Sequence, residues 1–493
     1  MHGTAQRESD DIAGSSTRAT SFGFWLGVLM ALTASLPVLV AWSPQMTDYP
    51  SHLAGFKVML DHGADPFLTK YFTFEWEWTG NLGAELAIVP LAPIFGLEMA
   101  GRIITGAIPL LTGLGILAVA RALRRPVSVG DLLAFSMIWS PSLLLGFLNY
   151  SLSIAIGLFA FALWVKLEDK RWRPAAFVPI GFVVWLCHVS GWGVLGVMVF
   201  GYEWHRDKSW RAFVAPWPLI FPIAPMLFGM GSNAKMSYGS QLVEYKWAIL
   251  YRAMRSYDYW VDIVSLCAVM LVLLGALVMR KIDGRLGWAA LGLLALSMAM
   301  PRHIFGGDYA DYRLTTSALL VACLAINWTL PRWALAVAAG LFFARLGLTT
   351  YAWHEDAVEA AQLVEALEYV PEGARVATAV AIPRRRWSFG SFEHFGSYAV
   401  VRRSAKENSN FALPDVHMLA MRDRTIRFAD PTQRILYAPS QRIDLRRFPP
   451  ARHADFLWYI GTVRPATLPV GARIVFATEN SFLARLAKRS DPR

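Results

Sequence analysis

The residues with the most chemical potential lie in the stretch "MTDYPSHLAGF", Met46 to Phe56, just after a strongly apolar run that ends at Trp42. Asp48 stands about six residues past that run, at the lipid–water boundary. A carboxylate there can act as a general base, a metal ligand or a helix cap, and the following Pro50 suits a helix start. His52 lies four residues on, so a helix beginning near Tyr49 would stack it over the same face, as ordinary surface or for ligand and acid/base work.

In the same loop, "FEWEW" (Phe74 to Trp78) sets Glu75 and Glu77 among aromatics. Trp at such a position is a membrane anchor. Alternatively, Trp76 forms a sugar-stacking platform whose hydroxyl partners are Glu75 and Glu77. Further along, "GGDYADYR" brings Asp308, Asp311 and Arg313 to the entrance of another apolar run. Arg313 there is either a phosphate-gripping fork or an interfacial anchor held by one of the two acids. His188, in "WLCHVSGW", interrupts an apolar hairpin, where an ionisable side chain faces the bundle interior or a cavity. Asp258 and Asp262 enter a span and are functional suspects on the same ground.

These residues need a scaffold, and the composition says which kind. The chain has 493 residues, of which 55% are hydrophobic and 17% charged, with a mean hydropathy of +0.38. That is a polytopic membrane protein. Its runs are long and continuous, so they read as helices. The expected spans are roughly 21–42, 98–120, 131–148, 150–166, 174–187, 190–203, 212–230, 260–279, 287–300, 314–330 and 333–350, about eleven in all. The segment 81–96, with two prolines and Glu85, is expected to lie re-entrant or on the surface, because letting it cross would turn every basic loop outward. With the N-terminal segment 1–20 in the cytoplasm as part of an uncleaved anchor, the loops rich in Lys and Arg then face inward. The net charge of +11 thus reflects topology, and no motif points to nucleic acid.

The transmembrane region is therefore expected over 21–350, with the first outer loop at 43–97. Residues 231–259 and 302–313 fall on the same outer side, as does a tail from 351 to 493. The tail opens with a helical pattern, "EDAVEAAQLVEALEYV". "ARVATAVAI", "ADFLWYIG" and "ARIVFATE" then read as strands of an α/β domain. The three cysteines, Cys187, Cys267 and Cys323, sit in apolar runs as small hydrophobes. No Gly-rich phosphate cradle, HExxH or GxSxG occurs, so an outer-face enzyme needs an activated donor already in the membrane.

On "DYPSH", a first loop carrying a membrane-hugging helix, and many spans followed by a soluble tail, the chain resembles the GT-C superfamily of membrane glycosyltransferases. Through "DYPSHLA", "GFLNYSLSIAIGL" and "GDYADYRL" it is similar to bacterial membrane proteins of that general type. The resemblance implies polyprenyl-phosphate-linked sugar as donor and an envelope glycan, lipid or protein as acceptor, in the bacterial inner (plasma) membrane. It implies Asp48 as general base or as a ligand of a divalent cation such as Mg or Mn, and Arg313 as the donor-phosphate contact. His52 would assist Asp48. Glu75, Trp76, Glu77, His188, Asp308 and Asp311 are the candidate substrate contacts. Many members carry an Asp-Glu pair in the first loop, whereas Tyr49 follows Asp48 here, a departure that bears on any metal. A lipid-linked-sugar transporter or flippase, and a non-catalytic envelope assembly factor with a basic tail, are the rival expectations.

Overall fold

The first apolar run forms the helix Phe22–Val40, bent at Ala34–Ser35 ahead of a short final turn, Leu36–Val40. In the computed structural model the described residues are 22–224, 236–304, 307–383, 386–412, 417–422, 435–438, 443–461 and 467–487. The expected segment 1–20 and residues 225–230 of the 212–230 run lie outside them. The chain is mostly helical, and five helices are long and apolar enough to cross a membrane: Phe22–Val40, Leu97–Ala122, Leu148–Lys166, Tyr259–Val278 and Arg332–Tyr369. Shorter apolar helices, among them Arg173–Cys187 and Gly284–Ala299, pack beside them. The protein is a membrane-embedded helical bundle with a sheet attached.

Three expected spans take another form. The run 131–148 is not one helix: Val129–Phe135 and Pro141–Leu145 are separated by turns. Pro141 starts the second piece and Gly146, with φ of 98°, stops it. The helix inside 314–330 ends at Ala325. The described part of 212–230 holds only the short turns Arg211–Val214 and Trp217–Leu219, which its three prolines explain. Cys187 and Cys323 are buried as expected, whereas Cys267 is exposed on a helix that presents most of its apolar surface outward.

Segment 81–96 contains the helix Gly83–Phe95, which at 1.5 Å per residue is about 20 Å long, short of the ~30 Å hydrocarbon core. Asn149 fixes its start: the Asn149 Oδ1 accepts from the Ala84 N–H, and its Nδ2 donates to Glu85 Oε2 at 2.8 Å and to the Asn81 carbonyl at 2.9 Å.

The three strands read from the tail are present as Arg375–Pro383, Phe456–Ile460 and Arg473–Ala477. They belong to a mixed six-stranded sheet. Arg375–Pro383 runs parallel to Phe456–Ile460, Lys406–Glu407 and Ile435–Ala438, and Ser481–Arg485 is antiparallel to both Phe456–Ile460 and Arg473–Ala477. Phe456–Ile460 is buried along its whole length, as expected of a strand covered on both faces. The expected boundary at 350/351 falls inside one continuous helix, Arg332–Val364. Nothing in "LGLTTYAWHEDAVEAAQ" breaks it: neither Gly347 nor a β-branched pair ends a helix that keeps one face buried from Ala334 to Leu363.

The tail around the sheet is stitched to the first loop. Phe72–Phe74 pairs antiparallel with Leu419–Met421. Lys57 Nζ donates to the Val401 carbonyl at 2.9 Å, the Tyr71 hydroxyl to the Gly373 carbonyl at 2.7 Å, and Trp42 Nε1 to the Ala357 carbonyl at 2.8 Å.

Candidate functional site

Asp48 begins the helix Tyr49–Asp61 without capping it, since its side chain accepts no hydrogen bond from the first turn. Pro50 removes one of the donors a cap would satisfy. The backbone of the preceding loop is instead held by the broken segment: Thr47 and Asp48 N–H donate to the Leu144 and Leu145 carbonyls at 3.3 and 3.0 Å. The Asp48 side chain is 17% exposed, and its Oδ1 lies 3.6 Å from Nε2 of His394, which is nearly buried.

The tautomer of His394 follows from its other nitrogen. Nδ1 lies 2.6 Å from the Ser409 carbonyl, which only accepts, so Nδ1 carries a proton. Ser51 Oγ packs on the same carbonyl at 2.8 Å and on His394 Nδ1 at 2.7 Å. In its neutral form, with the proton on Nδ1, His394 turns an Nε2 lone pair toward Asp48, so that a hydroxyl between the two would meet two acceptors. Behind this pair, Ser409 N–H and Oγ donate to Glu407 at 2.6 and 2.7 Å. Burial holds the Glu407 carboxyl above its ordinary range, against the lowering effect of those bonds. Gly396 is required there, because a Cβ would come within 2.3 Å of both Glu407 Oε1 and Thr378 Oγ1.

His52 packs among aromatic rings. Its ring lies 5.3 Å from Phe411 and 6.2 Å from Phe56, and its proton goes to the Gly146 backbone. Burial pushes its imidazole down to about 4, so at neutral pH it forms an uncharged wall. His417 stacks on the other side of Phe411 at 5.3 Å, while His394 approaches that ring at 4.9 Å. His417 is also lowered to about 4, first by burial and then by His52.

Arg313 completes the arrangement from the start of the helix Ala310–Ala325. Its guanidinium lies over the Phe147 ring at 4.0 Å and within electrostatic range of Asp48. Nη1 is 3.3 Å from His188 Nε2. That contact is not a hydrogen bond to the neutral ring. His188 Nδ1 accepts from the Ser190 N–H at 3.0 Å, capping the helix Val189–Asp207, so the ring proton sits on Nε2. Two donors thus stand side by side. Arg313 Nε is buried without an acceptor, and Arg313 has no carboxylate within ion-pair distance among the described residues. One anionic oxygen placed between Arg313 and His188 would satisfy both.

Neither Asp308 nor Asp311 anchors Arg313. Asp308 accepts from Arg302 Nε at 2.8 Å and Nη2 at 3.0 Å, and Asp311 takes Lys246 Nζ at 2.6 Å and the Tyr245 hydroxyl at 3.1 Å. Both acids are spent on shaping the loop. Glu75, Trp76 and Glu77 are exposed at the end of Phe72–Phe74, and no contact among the described residues joins them to Asp48. Asp258 caps the helix Tyr259–Val278 through the Val261 N–H at 2.9 Å. Asp262 is a structural acid, paired with Arg345 at 2.6 Å and accepting from Ser256 Oγ at 2.6 Å and Trp387 Nε1 at 2.7 Å.

Among the described residues, no group of three or more His, Cys, Asp or Glu side chains is arranged to hold a metal ion. The Asp48 site offers one carboxylate with a protonated-Nδ1 histidine, a poor fit to the oxygen-rich shell that Mg or Mn prefers. No catalytic step is assigned to a metal here.

The sequence reading missed His394, Phe411 and His417. Its available signal was "SFEHFGSY" followed by "KENSNF", polar and aromatic residues packed together in a tail read only for strands.

Gly146 is the tightest constraint on Asp48. Its φ is 98°, and a Cβ there would lie 2.9 Å from Asp48 Cβ and 3.0 Å from Asp48 N. Gly146→Ala is expected to destabilise the protein by about 1–3 kcal/mol through its left-handed backbone and to displace Asp48. A lowered melting temperature of the detergent-solubilised protein is the check, and an unchanged one would refute it.

No protein-family model and no curated protein sequence matches this chain.

Proposed function

We propose that this membrane-embedded protein is a glycosyltransferase of the GT-C type. It moves a sugar from a polyprenyl-phosphate-linked donor to a hydroxyl of an envelope glycan, lipid or protein acceptor on the extracytoplasmic face. The observation that carries the reading is the donor pair Arg313 and His188 Nε2–H, within electrostatic range of the largely buried Asp48 and its neighbour His394. A phosphate fits the first pair and a hydroxyl the second.

In the proposed step the acceptor hydroxyl gives its proton to Asp48, with His394 sharing it through Nε2. The oxygen attacks the anomeric carbon with inversion while the bond from that carbon to the phosphate oxygen breaks. The electron pair leaves with the polyprenyl phosphate, whose charge Arg313 and His188 stabilise. Phosphate is already a good leaving group, so no general acid is required. His52, Phe411 and His417 form an aromatic wall against which a sugar ring can stack.

The same reading places the N-terminus in the cytoplasm and the sheet outside a bacterial inner membrane. About eleven crossings then result, the shorter apolar helices and the broken 131–148 segment completing the five long ones.

Mass spectrometry of envelope glycans and glycolipids tests the proposal, using a deletion strain complemented with wild type or Asp48→Asn. The expected result is a defined sugar that is lost in the deletion and restored only by wild type. Asp48→Asn should insert normally while transfer falls by about 10²–10⁴-fold, the usual contribution of a general base. Full restoration by Asp48→Asn would exclude the step, and transport or assembly would then explain any glycan phenotype.

A further inference from the structure

At the end of the bundle remote from Asp48 lies a second site. Asn149, His188 and Arg313 stand at the beginnings of helices whose other ends, near Lys166, Asp207 and Ala325, converge with the ends of Leu97–Ala122 and Gly284–Ala299. A 19-residue helix is about 28 Å long, close to the hydrocarbon thickness, so this end sits at the opposite headgroup layer. A cavity of about 250 Å³ opens there, lined by Arg124, Arg206, Arg285, His205, Glu168 and Tyr202 among others.

The carboxylates engage its cations unequally. Glu168 accepts the Tyr202 hydroxyl at 2.5 Å. Glu203, just behind, accepts from Trp164 Nε1 at 2.9 Å and pairs with Arg173 at 3.1 Å. Arg206 reaches each of these acids only at 3.6 Å and keeps half its side chain exposed. Arg285 is held in a fork by Asp283. Arg124 turns into the loop with φ of 56°, and its guanidinium donates to no group among the described residues. The His205 ring closes the floor against Gly284, where a Cβ would come within 2.3 Å of its Nδ1.

Basic residues at helix ends also serve as topology anchors, but an anchor needs no concave site. We infer that this cavity binds a phosphate group, and that its source is the headgroup of an anionic phospholipid in the leaflet remote from Asp48. The recognition is by Arg124 and Arg206, with the Tyr202 hydroxyl and His205 as neighbours. Basic pockets between helices at a headgroup layer suit such lipids, and the arginine fork suits a phosphodiester. The inference requires only that the bundle is membrane-embedded and does not rest on the transferase reading.

The test uses full-length protein in a neutral detergent, with lipid retention followed by native mass spectrometry. Phosphatidylglycerol should be retained and phosphatidylcholine lost. The double variant Arg124→Gln/Arg206→Gln should hold phosphatidylglycerol about 30-fold more weakly, and Arg124→Gln alone, at an exposed turn, about fivefold, from the usual contribution of one basic residue near a headgroup. The single variant keeps the test decisive should the double variant fail to fold. Displacement of phosphatidylglycerol by millimolar inorganic phosphate, with equal weakening by the variants, would support the phosphate site and assign its ligand to solution. Equal retention of both lipids, or no change in either variant, would overturn the inference.

Discussion

Arg313→Gln is expected to lower sugar transfer by about 10²–10³-fold, the cost of removing one preorganised donor to a developing oxyanion. The geometry explains why the loss should be large. Arg313 lies on the face of Phe147, beside a histidine whose only ring proton also points outward, and Nε is unsatisfied. A cation held this way gains most when an anion arrives, and in the proposed step the departing phosphate gains charge. Arg313→Lys should recover little, because a point charge cannot reproduce a planar fork stacked on an aromatic ring. His188→Ala should cost less than Arg313→Gln, and the two losses should not add if both residues contact one oxygen. Transfer rates of purified protein with a polyprenyl-phosphate-linked sugar provide the measurement. Unaltered turnover in Arg313→Gln would remove the phosphate role.

Asp262→Ala should act on the fold instead, at about 3–5 kcal/mol, the usual penalty for stripping one partner from a buried ion pair. Asp262 and Arg345 are almost completely buried, and both lie on helices long and apolar enough to cross a membrane. Arg345 keeps the Met254 carbonyl at 2.8 Å after the substitution but loses its carboxylate. Ser256 and Trp387 lose their acceptor as well. The expected result is a much lower melting temperature and poor accumulation in the membrane. Replacing both members, Asp262→Leu with Arg345→Leu, should recover much of the loss, since no charge is then stranded. Equal melting of Asp262→Ala and wild type would show that the pair contributes nothing.

Much of the fold was legible because lipid demands long apolar runs and a covered sheet demands β-branched and aromatic ones. The helix Leu97–Ala122 and the strand Phe456–Ile460 follow from those demands alone. Breaks were harder to read: Pro141 and Gly146 look tolerable in an apolar window, yet they split 131–148 so that Asp48 can dock on the break. Asp48, Arg313 and His188 stood out singly as charged or titratable groups beside apolar runs. That Arg313 and His188 are both donors where they meet depends on which ring nitrogen carries the proton, a matter set by the Ser190 N–H. His394 could not be paired with Asp48 from spacing, because 346 positions separate them and only tertiary packing closes that distance. Glu75, Trp76 and Glu77 were legible as a cluster, but spacing alone gave no place for them relative to Asp48.

The unbroken helix Arg332–Val364 has a mechanical consequence. At 33 residues it is a rod about 50 Å long, gripped near its middle by the Asp262–Arg345 pair and, beyond that, by the Tyr257 hydroxyl, which accepts from Trp353 Nε1. A rod clamped at two points cannot swivel, so the sheet rides on the bundle like a handle welded to a drawer. In the proposed transfer, an opening that admits a bulky acceptor would therefore come from the segments that tie the tail to the first loop, with the rod as the fixed axis of that movement.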